Sequence, residues 1–239
     1  MTKTIKGSVV LITGASGAIA QALIAGLTAR GAAKIYAAAR DISGLVASDH
    51  LVPLKMDVNS DDDVRKAAAA ATDVTLLINN AGINHNTSFM TAPDLTIASR
   101  EIEANYLAPL RVTRAFAPAL IANHGAVLNL LTVLARVNLP LMGSYCASKA
   151  AALSLTQGLR GELGPQGVHV AGALPGAVDT RMTAGLPIPK MSTADAATEI
   201  LDGFESGEEE IYVGEMARGI AKGLAHDPKA VERQLASPR

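Results

Sequence analysis

Short apolar runs alternate along this chain with longer stretches in which apolar residues recur at helical spacing. Runs of about five apolar residues bounded by turn residues are typical of strands buried on both faces of a parallel sheet. We predict strands at residues 8–13, 34–39, 52–56, 74–78, 126–131, 168–174 and 210–213. We predict helices at residues 19–30, 61–71, 95–121, 144–163 and 194–204. Because the two kinds of element alternate, we expect right-handed crossovers and an α/β fold with a doubly wound parallel sheet.

The chain has no linker or shift in composition that would divide it, so we predict a single domain over residues 1–239. Pro109 and Pro118 fall inside the long predicted helix and should mark bends or breaks there. Residues 181–191 are rich in proline and small apolar residues, and we expect them to form a short lid over a modest, mostly apolar substrate. The tail at residues 214–239 is predicted to be helical, and it could dock on the body of the domain or on a partner subunit.

The composition excludes several classes of partner. The formal net charge is −1, so we expect no broad basic surface for nucleic acid or anionic lipid. Aromatic residues make up only 3% of the chain and tryptophan is absent, which argues against a platform for stacking bases. The one cysteine cannot form an internal disulfide, and the sequence shows neither a signal peptide nor an apolar stretch of about 20 residues. We therefore expect a cytoplasmic protein without a nucleic-acid or membrane partner.

The first predicted strand runs directly into a turn of small residues, from Thr13 to Ala20, and then into a helix. In a strand–turn–helix of this kind, backbone N–H groups and the helix N-terminus point at a phosphate, and small residues let the backbone approach it closely. Small residues also fill crowded strand–helix junctions that bind nothing. The turn therefore indicates a phosphate site only in combination with other motifs.

A second motif places Tyr145 and Lys149 four residues apart, on one face of a predicted helix. A phenol with a pKa of about 10 is a poor proton donor at neutral pH. A positive charge nearby lowers that pKa towards the range in which general acid–base catalysis is effective. A tyrosine and a lysine at this spacing are common by chance. The motif becomes more specific because the chain also contains the turn at Gly14, Asn79-Asn80-Ala81-Gly82 and Pro175-Gly176.

With these motifs in this order, the chain resembles the classical short-chain dehydrogenase/reductase (SDR) family over essentially its whole length. The resemblance implies a single-domain, Rossmann-type fold that binds a nicotinamide dinucleotide. The family's first turn is usually TGxxxGxG, and here Ala18 and Ala20 replace the two later glycines. An alanine adds one methyl group, so we expect this change to affect cofactor affinity more than cofactor class. The residues that the resemblance assigns to the cofactor are Gly14, Ser16, Gly17, Ile19, Asp57, Val58, Asn80, Ala81, Gly82, Tyr145, Lys149, Pro175, Gly176, Val178 and Thr180.

The resemblance also assigns catalytic roles to four residues. The family's catalytic serine usually lies thirteen residues before the tyrosine, and the residue at that position here is Thr132. Thr132 would hydrogen-bond the carbonyl oxygen of the substrate, Tyr145 would donate the proton, and Lys149 would lower the pKa of the tyrosine and hold the ribose. Asn105 matches the helix asparagine that in this family binds a water leading to the lysine. By residue type alone, Thr132 could simply end a strand, Asn105 could face solvent, and Asp57 could cap the following helix.

The choice between the two nicotinamide dinucleotides depends on the end of the second predicted strand. NAD-binding proteins commonly place an acidic residue there to bind the ribose 2′-hydroxyl. This chain has Ala39 followed by Arg40, whose guanidinium suits a 2′-phosphate. We therefore favour NADP(H), with NAD(H) possible, because Asp41 stands one position beyond Arg40 and the glycine-bearing turn contains no basic residue.

The motifs together predict an oxidoreductase that transfers a hydride between NADP(H) and a small carbonyl or alcohol substrate, with Tyr145 as general acid or base. We expect no metal, since the five histidines show no metal-ligand spacing. The resemblance suggests a homodimer or homotetramer. A non-catalytic NADP(H)-binding sensor of the same fold is the alternative that the altered glycine turn and Thr132 leave open. Halohydrin lyases of this fold match less well, because they replace the lysine by arginine.

Overall fold

The computed structural model of the protein describes residues 4–237, in which seven strands alternate with eight α-helices. The strands are β1 (Val9–Thr13), β2 (Lys34–Ala39), β3 (Leu51–Lys55), β4 (Leu76–Asn79), β5 (Ala126–Leu130), β6 (His169–Pro175) and β7 (Glu210–Val213). The helices are α1 (Ala18–Ala29), α2 (Asp61–Ala70), α3 (Thr96–Ile102), α4 (Ala108–Ala122), α5 (Gly143–Leu163), α6 (Thr193–Glu205), α7 (Gly214–His226) and α8 (Pro228–Ala236). All the predicted strands are present, and the long helix predicted at residues 95–121 is divided between α3 and α4.

The strands form one parallel sheet in the order β3-β2-β1-β4-β5-β6-β7. The chain starts in the middle of the sheet, winds outward through β2 and β3, and then returns to the other side of β1 as β4. The predicted α/β fold with a doubly wound parallel sheet is therefore confirmed. In such sheets a ligand binds in the crevice at the carboxyl ends of the strands where the winding reverses, which here lies between β1 and β4.

Helices cover both faces of this sheet. On one face α1 and α6 pack, and their residues Leu23 and Ile200 are completely buried. On the other face α2, α4 and α5 pack, with Val64 and Phe116 buried against the strands. Burial on both faces explains why the strands are nearly continuous apolar runs. The candidate catalytic and binding side chains therefore lie at the carboxyl edge of the sheet and in the loops beyond it.

The helical path from α3 to α4 contains one wide π-turn, Glu103–Leu107. Pro109 is the second residue of α4 and has no N–H to donate to the carbonyl of Asn105, four residues before it. The predicted irregularity at Pro109 therefore takes the form of a π-turn, a feature that is frequent at functional sites. Pro118, in contrast, lies inside α4, which continues through it without a break.

The C-terminal tail forms α7 and α8, as predicted, and α7 docks on the body of its own domain. The backbone N–H of Gly214 donates to Glu199 Oε2 over 2.8 Å, and Arg218 pairs with the same carboxylate at 2.8 Å. The side chain of Met216 lies directly over Gly176. Within residues 4–237, no helix, α7 and α8 included, is both long and apolar enough to cross a membrane.

Candidate active site

The turn after β1 is built around a glycine that no other residue could replace without strain. Gly14 has φ of +65°, and a Cβ placed on it would lie 2.9 Å from the Cα of Ala81. Gly17 then precedes α1 as its N-cap and has no side chain to bond the first N–H groups of the helix. These N–H groups, next to the exposed Ser16, form the kind of anion-binding site found at helix N-termini.

The two alanines that replace family glycines lie in helical backbone. Ala18 is the first residue of α1 and is exposed, so its methyl group is tolerated. Ala20 is completely buried against the sheet, where its methyl group fills space between α1 and the core strands. Ile19, between them, is partly buried and packs against the same core. The turn therefore keeps its shape despite the departure from TGxxxGxG.

The glycine turn is locked to the segment that follows β4. The hydroxyl oxygen of Thr13 accepts hydrogen bonds from the N–H of Asn80 (3.0 Å) and of Ala81 (3.1 Å). The side-chain amide of Asn80 donates back to the carbonyl of Thr13 at 3.0 Å. The Asn80 side chain thus holds the turn in place, and the two predicted cofactor segments form one unit at the point where the sheet reverses.

Replacing Thr13 by valine should test this lock. The change removes the acceptor for two N–H groups while keeping the shape of a side chain that is 1% exposed. An unsatisfied buried group costs about 1–3 kcal/mol, so thermal unfolding should show a loss of that order. Thr28→Val is the matched control, because that hydroxyl is exposed and donates only within α1, to the carbonyl of Ile24. Equal losses in the two variants would contradict the lock.

Thr132, Tyr145 and Lys149 meet at the carboxyl end of β5. Thr132 follows the strand and caps a short 3₁₀ turn, Val133–Ala135. Its hydroxyl donates to the carbonyl of Pro175 at 3.3 Å, and Thr132 is near enough to Tyr145 to lower the pKa of the phenol. Lys149 Nζ is 6.0 Å from the centre of the Tyr145 ring and donates to the carbonyl of Leu130 over 2.8 Å. The structure therefore brings together three of the four predicted catalytic side chains.

Burial controls the protonation of this group. It raises the pKa of Tyr145 above its ordinary value, with further increases from Cys146 and Glu101, while the hydrogen bond from Thr132 acts in the opposite direction. Burial also lowers the pKa of Lys149 to about 8. The expectation that Lys149 brings the pKa of Tyr145 down is wrong for the protein alone. Burial disfavours both the phenolate form of Tyr145 and the ammonium form of Lys149. Tyr145 therefore keeps its proton.

Asn105 is buried in the π-turn and does not face solvent. Its Nδ2 donates to the carbonyl of Ile83 and to Ser148 Oγ, both at 2.9 Å, and its Oδ1 accepts from the N–H of Ile83 at 2.9 Å. A Cβ on Gly82 would lie 2.9 Å from Asn105 Oδ1 and 3.4 Å from Lys149 Nζ. The fourth predicted catalytic residue thus joins the cluster, and Gly82 is the residue that leaves room for it.

Two acidic residues near the predicted adenosine side accept hydrogen bonds from backbone N–H groups of their own loops. Asp41 Oδ1 accepts from the N–H of Ser43 at 2.9 Å, a bond that lowers the pKa of Asp41. Asp57 Oδ1 accepts from the N–H of Asn59 at 2.9 Å. The cap of α2 is Ser60, not Asp57, so the alternative role for Asp57 is wrong.

The remaining predicted cofactor residues lie along the carboxyl edge of the sheet. Arg40 directly follows β2 and is exposed. Val58, beyond β3, is partly buried, and its carbonyl accepts from Arg111 at 3.1 Å. Val178 pairs with Met191, which closes the segment predicted as a lid, and Thr180 caps the 3₁₀ turn Arg181–Thr183 inside that segment.

The wall around Tyr145 is apolar. Met142 and Cys146 are buried beside the tyrosine, and Met182 and Leu186 from residues 181–191 pack against them. Cys146 Sγ contacts the backbone of Leu139, in agreement with a packing role. The Tyr145 side chain therefore lies among apolar side chains.

Sequence motifs missed a buried polar group beside this wall. Glu101 is 1% exposed and binds both His85 and Ser144. A second buried chain links Asn79 to Asn129 (2.8 Å) and Asn129 to Thr156 (2.9 Å) across β4, β5 and α5. The only sequence signal for either group is a polar residue inside an apolar stretch, such as Asn129 within residues 126–131.

Comparison with known proteins agrees with this site. The sequence profile described as "short chain dehydrogenase" matches residues 8–189, and the chain belongs to that family. A short chain dehydrogenase from Burkholderia cenocepacia J2315, solved in complex with NADP, is 43% identical, with a TM-score of 0.95 over 99% of this chain and 100% of that one. A short-chain dehydrogenase from Sphingobium yanoikuyae in complex with NADPH is 28% identical, with a TM-score of 0.73 over 92% and 95% of the two chains.

Among curated proteins, 11-beta-hydroxysteroid dehydrogenase 1A from Arabidopsis thaliana is 29% identical over 93% of this chain. The chain spans 62% of the length of that relative. The family is shown by the match of its sequence profile to residues 8–189. The substrate is a separate question, because the relative has further sequence with no counterpart here.

Proposed function

We propose that the protein is an NADP(H)-dependent oxidoreductase that interconverts a small, mostly apolar carbonyl compound and its alcohol. The observation that carries this proposal is the clustering of Thr132, Tyr145 and Lys149 at the carboxyl end of β5, with Lys149 Nζ 6.0 Å from the centre of the Tyr145 ring. A protonated phenol beside a second hydroxyl, in an apolar pocket, suits the delivery of a proton to a carbonyl oxygen.

The chain's own residues fit a nicotinamide dinucleotide. Gly14, which tolerates no Cβ, and the uncapped start of α1 form a cradle for the pyrophosphate, with Ser16, Gly17 and Ile19 around it. Arg40 would hold the 2′-phosphate, Asp57 and Val58 the adenine side, and residues 80–82 the ribose. Pro175, Gly176, Val178 and Thr180 would hold the carboxamide end. The NADP and NADPH complexes of the two similar structures support this assignment.

The cofactor, when bound, supplies or accepts the hydride. Thr132 orients the substrate's carbonyl oxygen, and Tyr145 donates the proton to it. Lys149, with a pKa of about 8, is largely protonated at pH 7, and its charge would stabilise the phenolate left on Tyr145. The side chain of Asn105 bonds Ile83 and Ser148. The backbone carbonyl of Asn105 lacks the usual helical donor four residues later, because that residue is Pro109 and has no N–H. That carbonyl is the proposed acceptor for the water that returns the proton to Lys149.

Arg40→Ala should separate the two cofactors. A guanidinium on a 2′-phosphate contributes a charge-assisted pair that NADH cannot form. We expect the Kd of NADPH to rise about tenfold or more, and that of NADH to change less than about twofold, by nicotinamide fluorescence. Arg65→Ala, an exposed arginine on α2 paired with Asp62, serves as the control. A parallel change for both cofactors would show that Arg40 does not contact the phosphate.

A carbonyl panel tests the proposed function itself. The purified protein would be titrated with NADPH and NADH and then assayed with aldehydes and ketones of increasing apolar size, through the absorbance of the reduced cofactor. Binding of NADPH followed by its oxidation on a small apolar carbonyl is the expected result. Tight binding with no turnover on any carbonyl would instead favour a sensor, and binding of neither cofactor would contradict the proposal as a whole.

A further inference from the structure

A buried carboxylate lies next to the proposed active site and takes no part in the mechanism above. Glu101 belongs to α3, one helical turn before Asn105, and is 1% exposed. A carboxylate removed from water is costly unless donors surround it. A residue that bears this cost must be held by strong and specific contacts, and those contacts indicate what it does.

Glu101 joins two segments that are far apart in the sequence. Its Oε1 accepts from the backbone N–H of His85 at 2.8 Å and lies 3.3 Å from the Nδ1 of that residue's ring. Its Oε2 accepts from Ser144 Oγ at 2.5 Å. Ser144 is buried and immediately precedes Tyr145. One carboxylate thus holds the loop that follows Gly82 and the first turn of the helix that carries the proton donor.

The loop held by Glu101 lies on the substrate side of the site. Asn84 Nδ2 contacts the sulfur of Met142, part of the apolar wall beside Tyr145, at 3.4 Å. Asn86 Nδ2 donates to the carbonyl of Met182, within residues 181–191, at 3.3 Å. The N–H of Gly143 donates to the carbonyl of Thr87 at 3.2 Å. The position of this loop therefore determines the position of the wall that surrounds a substrate.

The charge of Glu101 also acts on Tyr145. Tyr145 is faced by Cys146 and Lys149 on its own helix, by Thr132 after β5, and by Glu101 on α3. The groups in contact with Glu101 are His85 and Ser144. A negative charge near a phenol disfavours the phenolate, so Glu101 raises the pKa of Tyr145 and keeps its proton in place.

We propose that Glu101 is a positioning residue of this active site. Through Ser144 and His85 it sets the substrate loop against the start of α5, the helix that carries Tyr145. The proposal rests on the proposed function above, because it assigns to Glu101 a role in the same reaction.

Glu101→Gln tests the double contact, because glutamine keeps the shape of the side chain but offers one acceptor oxygen where Glu101 uses two, one to His85 and one to Ser144. Loss of one of these bonds should raise KM about fivefold and change kcat less. Glu103→Gln is the matched control: that carboxylate is partly exposed in the adjoining π-turn and pairs with Arg111 at 2.9 Å. Its KM should stay unchanged.

Glu101→Ala and His85→Ala test the tie between the two segments. Both should raise KM about tenfold, with a smaller change in kcat, because the substrate wall is displaced while the proton donor is retained. Thermal unfolding of each variant would identify a general loss of folding, which would lower kcat and raise KM together.

Hydrogen exchange of the free protein provides a test that needs no activity. Glu101→Ala should accelerate exchange in residues 83–92, whereas Glu103→Gln should not. An unchanged KM in Glu101→Gln and Glu101→Ala together with unchanged exchange in Glu101→Ala would overturn the proposal. If the wild-type protein turns over no carbonyl, the proposed function fails; faster exchange would then support the positioning contact, and unchanged exchange would refute it.

Discussion

Tyr145→Phe is expected to lower kcat for carbonyl reduction by about a thousandfold, within the range that general acid catalysis contributes. The phenol is buried, and it is protonated because burial raises its pKa. Phenylalanine keeps the ring in its apolar surroundings and removes only the hydroxyl group that donates the proton. The Kd of NADPH should change less than about threefold, since the cradle at Gly14 and Gly17 lies on other elements of the site.

Tyr36→Phe is the matched control for this experiment. Its hydroxyl lies on β2, bonded to Asp73 at 3.0 Å and to Lys34 at 3.3 Å, away from the proposed site. We expect its kcat to be unchanged. Steady-state kinetics and nicotinamide fluorescence should be measured on both variants. If Tyr145→Phe retained a kcat within about tenfold of the wild type, the assignment of the acid would be wrong.

Gly14→Ala is expected to have the second largest effect, on cofactor binding. The backbone at Gly14 has φ of +65°, and a Cβ there would lie 2.9 Å from the Cα of Ala81, so backbone must move. The left-handed conformation alone costs about 1–2 kcal/mol for a residue with a Cβ. Movement of the turn would also separate it from Asn80, and we expect the Kd of NADPH to rise at least about a hundredfold.

Gly219→Ala provides the comparison. Gly219 lies within α7, is exposed, and would have no atom within 4 Å of an added Cβ. That substitution should raise the free energy of unfolding by about 0.5–1 kcal/mol and leave cofactor affinity alone. Thermal unfolding and NADPH titration of both variants are the measurements. Unchanged NADPH affinity in Gly14→Ala would mean that the turn after β1 is not the cofactor cradle.

Much of the fold follows directly from the sequence. The apolar runs marked all seven strands because a parallel strand covered by helices on both faces has little room for polar residues. The π-turn at Glu103–Leu107 could not be predicted in this way. Pro109 signalled an irregularity, but the form it takes depends on how Asn105 and Ser148 bond across two helices, which no local pattern records.

The candidate site was predicted in part. The register of Thr132 against Tyr145 and Lys149 correctly anticipated that these side chains meet, because strand ends and the following helix starts share one edge of the sheet. The pKa of Tyr145 was mispredicted in direction, since burial can only be judged in the folded protein. Glu101 was missed because its partners, His85 and Ser144, lie on other elements and follow no helical or strand spacing.

The central claim is that this chain transfers a hydride between NADPH and a carbonyl carbon, with Tyr145 supplying the proton. The most direct measurement uses NADPH deuterated at C4 of the nicotinamide, on each face in turn, with a small apolar ketone and mass analysis of the alcohol. We predict deuterium on the alcohol carbon from one face only, with the rate of deuterium transfer lowered about a thousandfold in Tyr145→Phe. Alcohol without deuterium from either face, or equal transfer by Tyr145→Phe, would contradict the account.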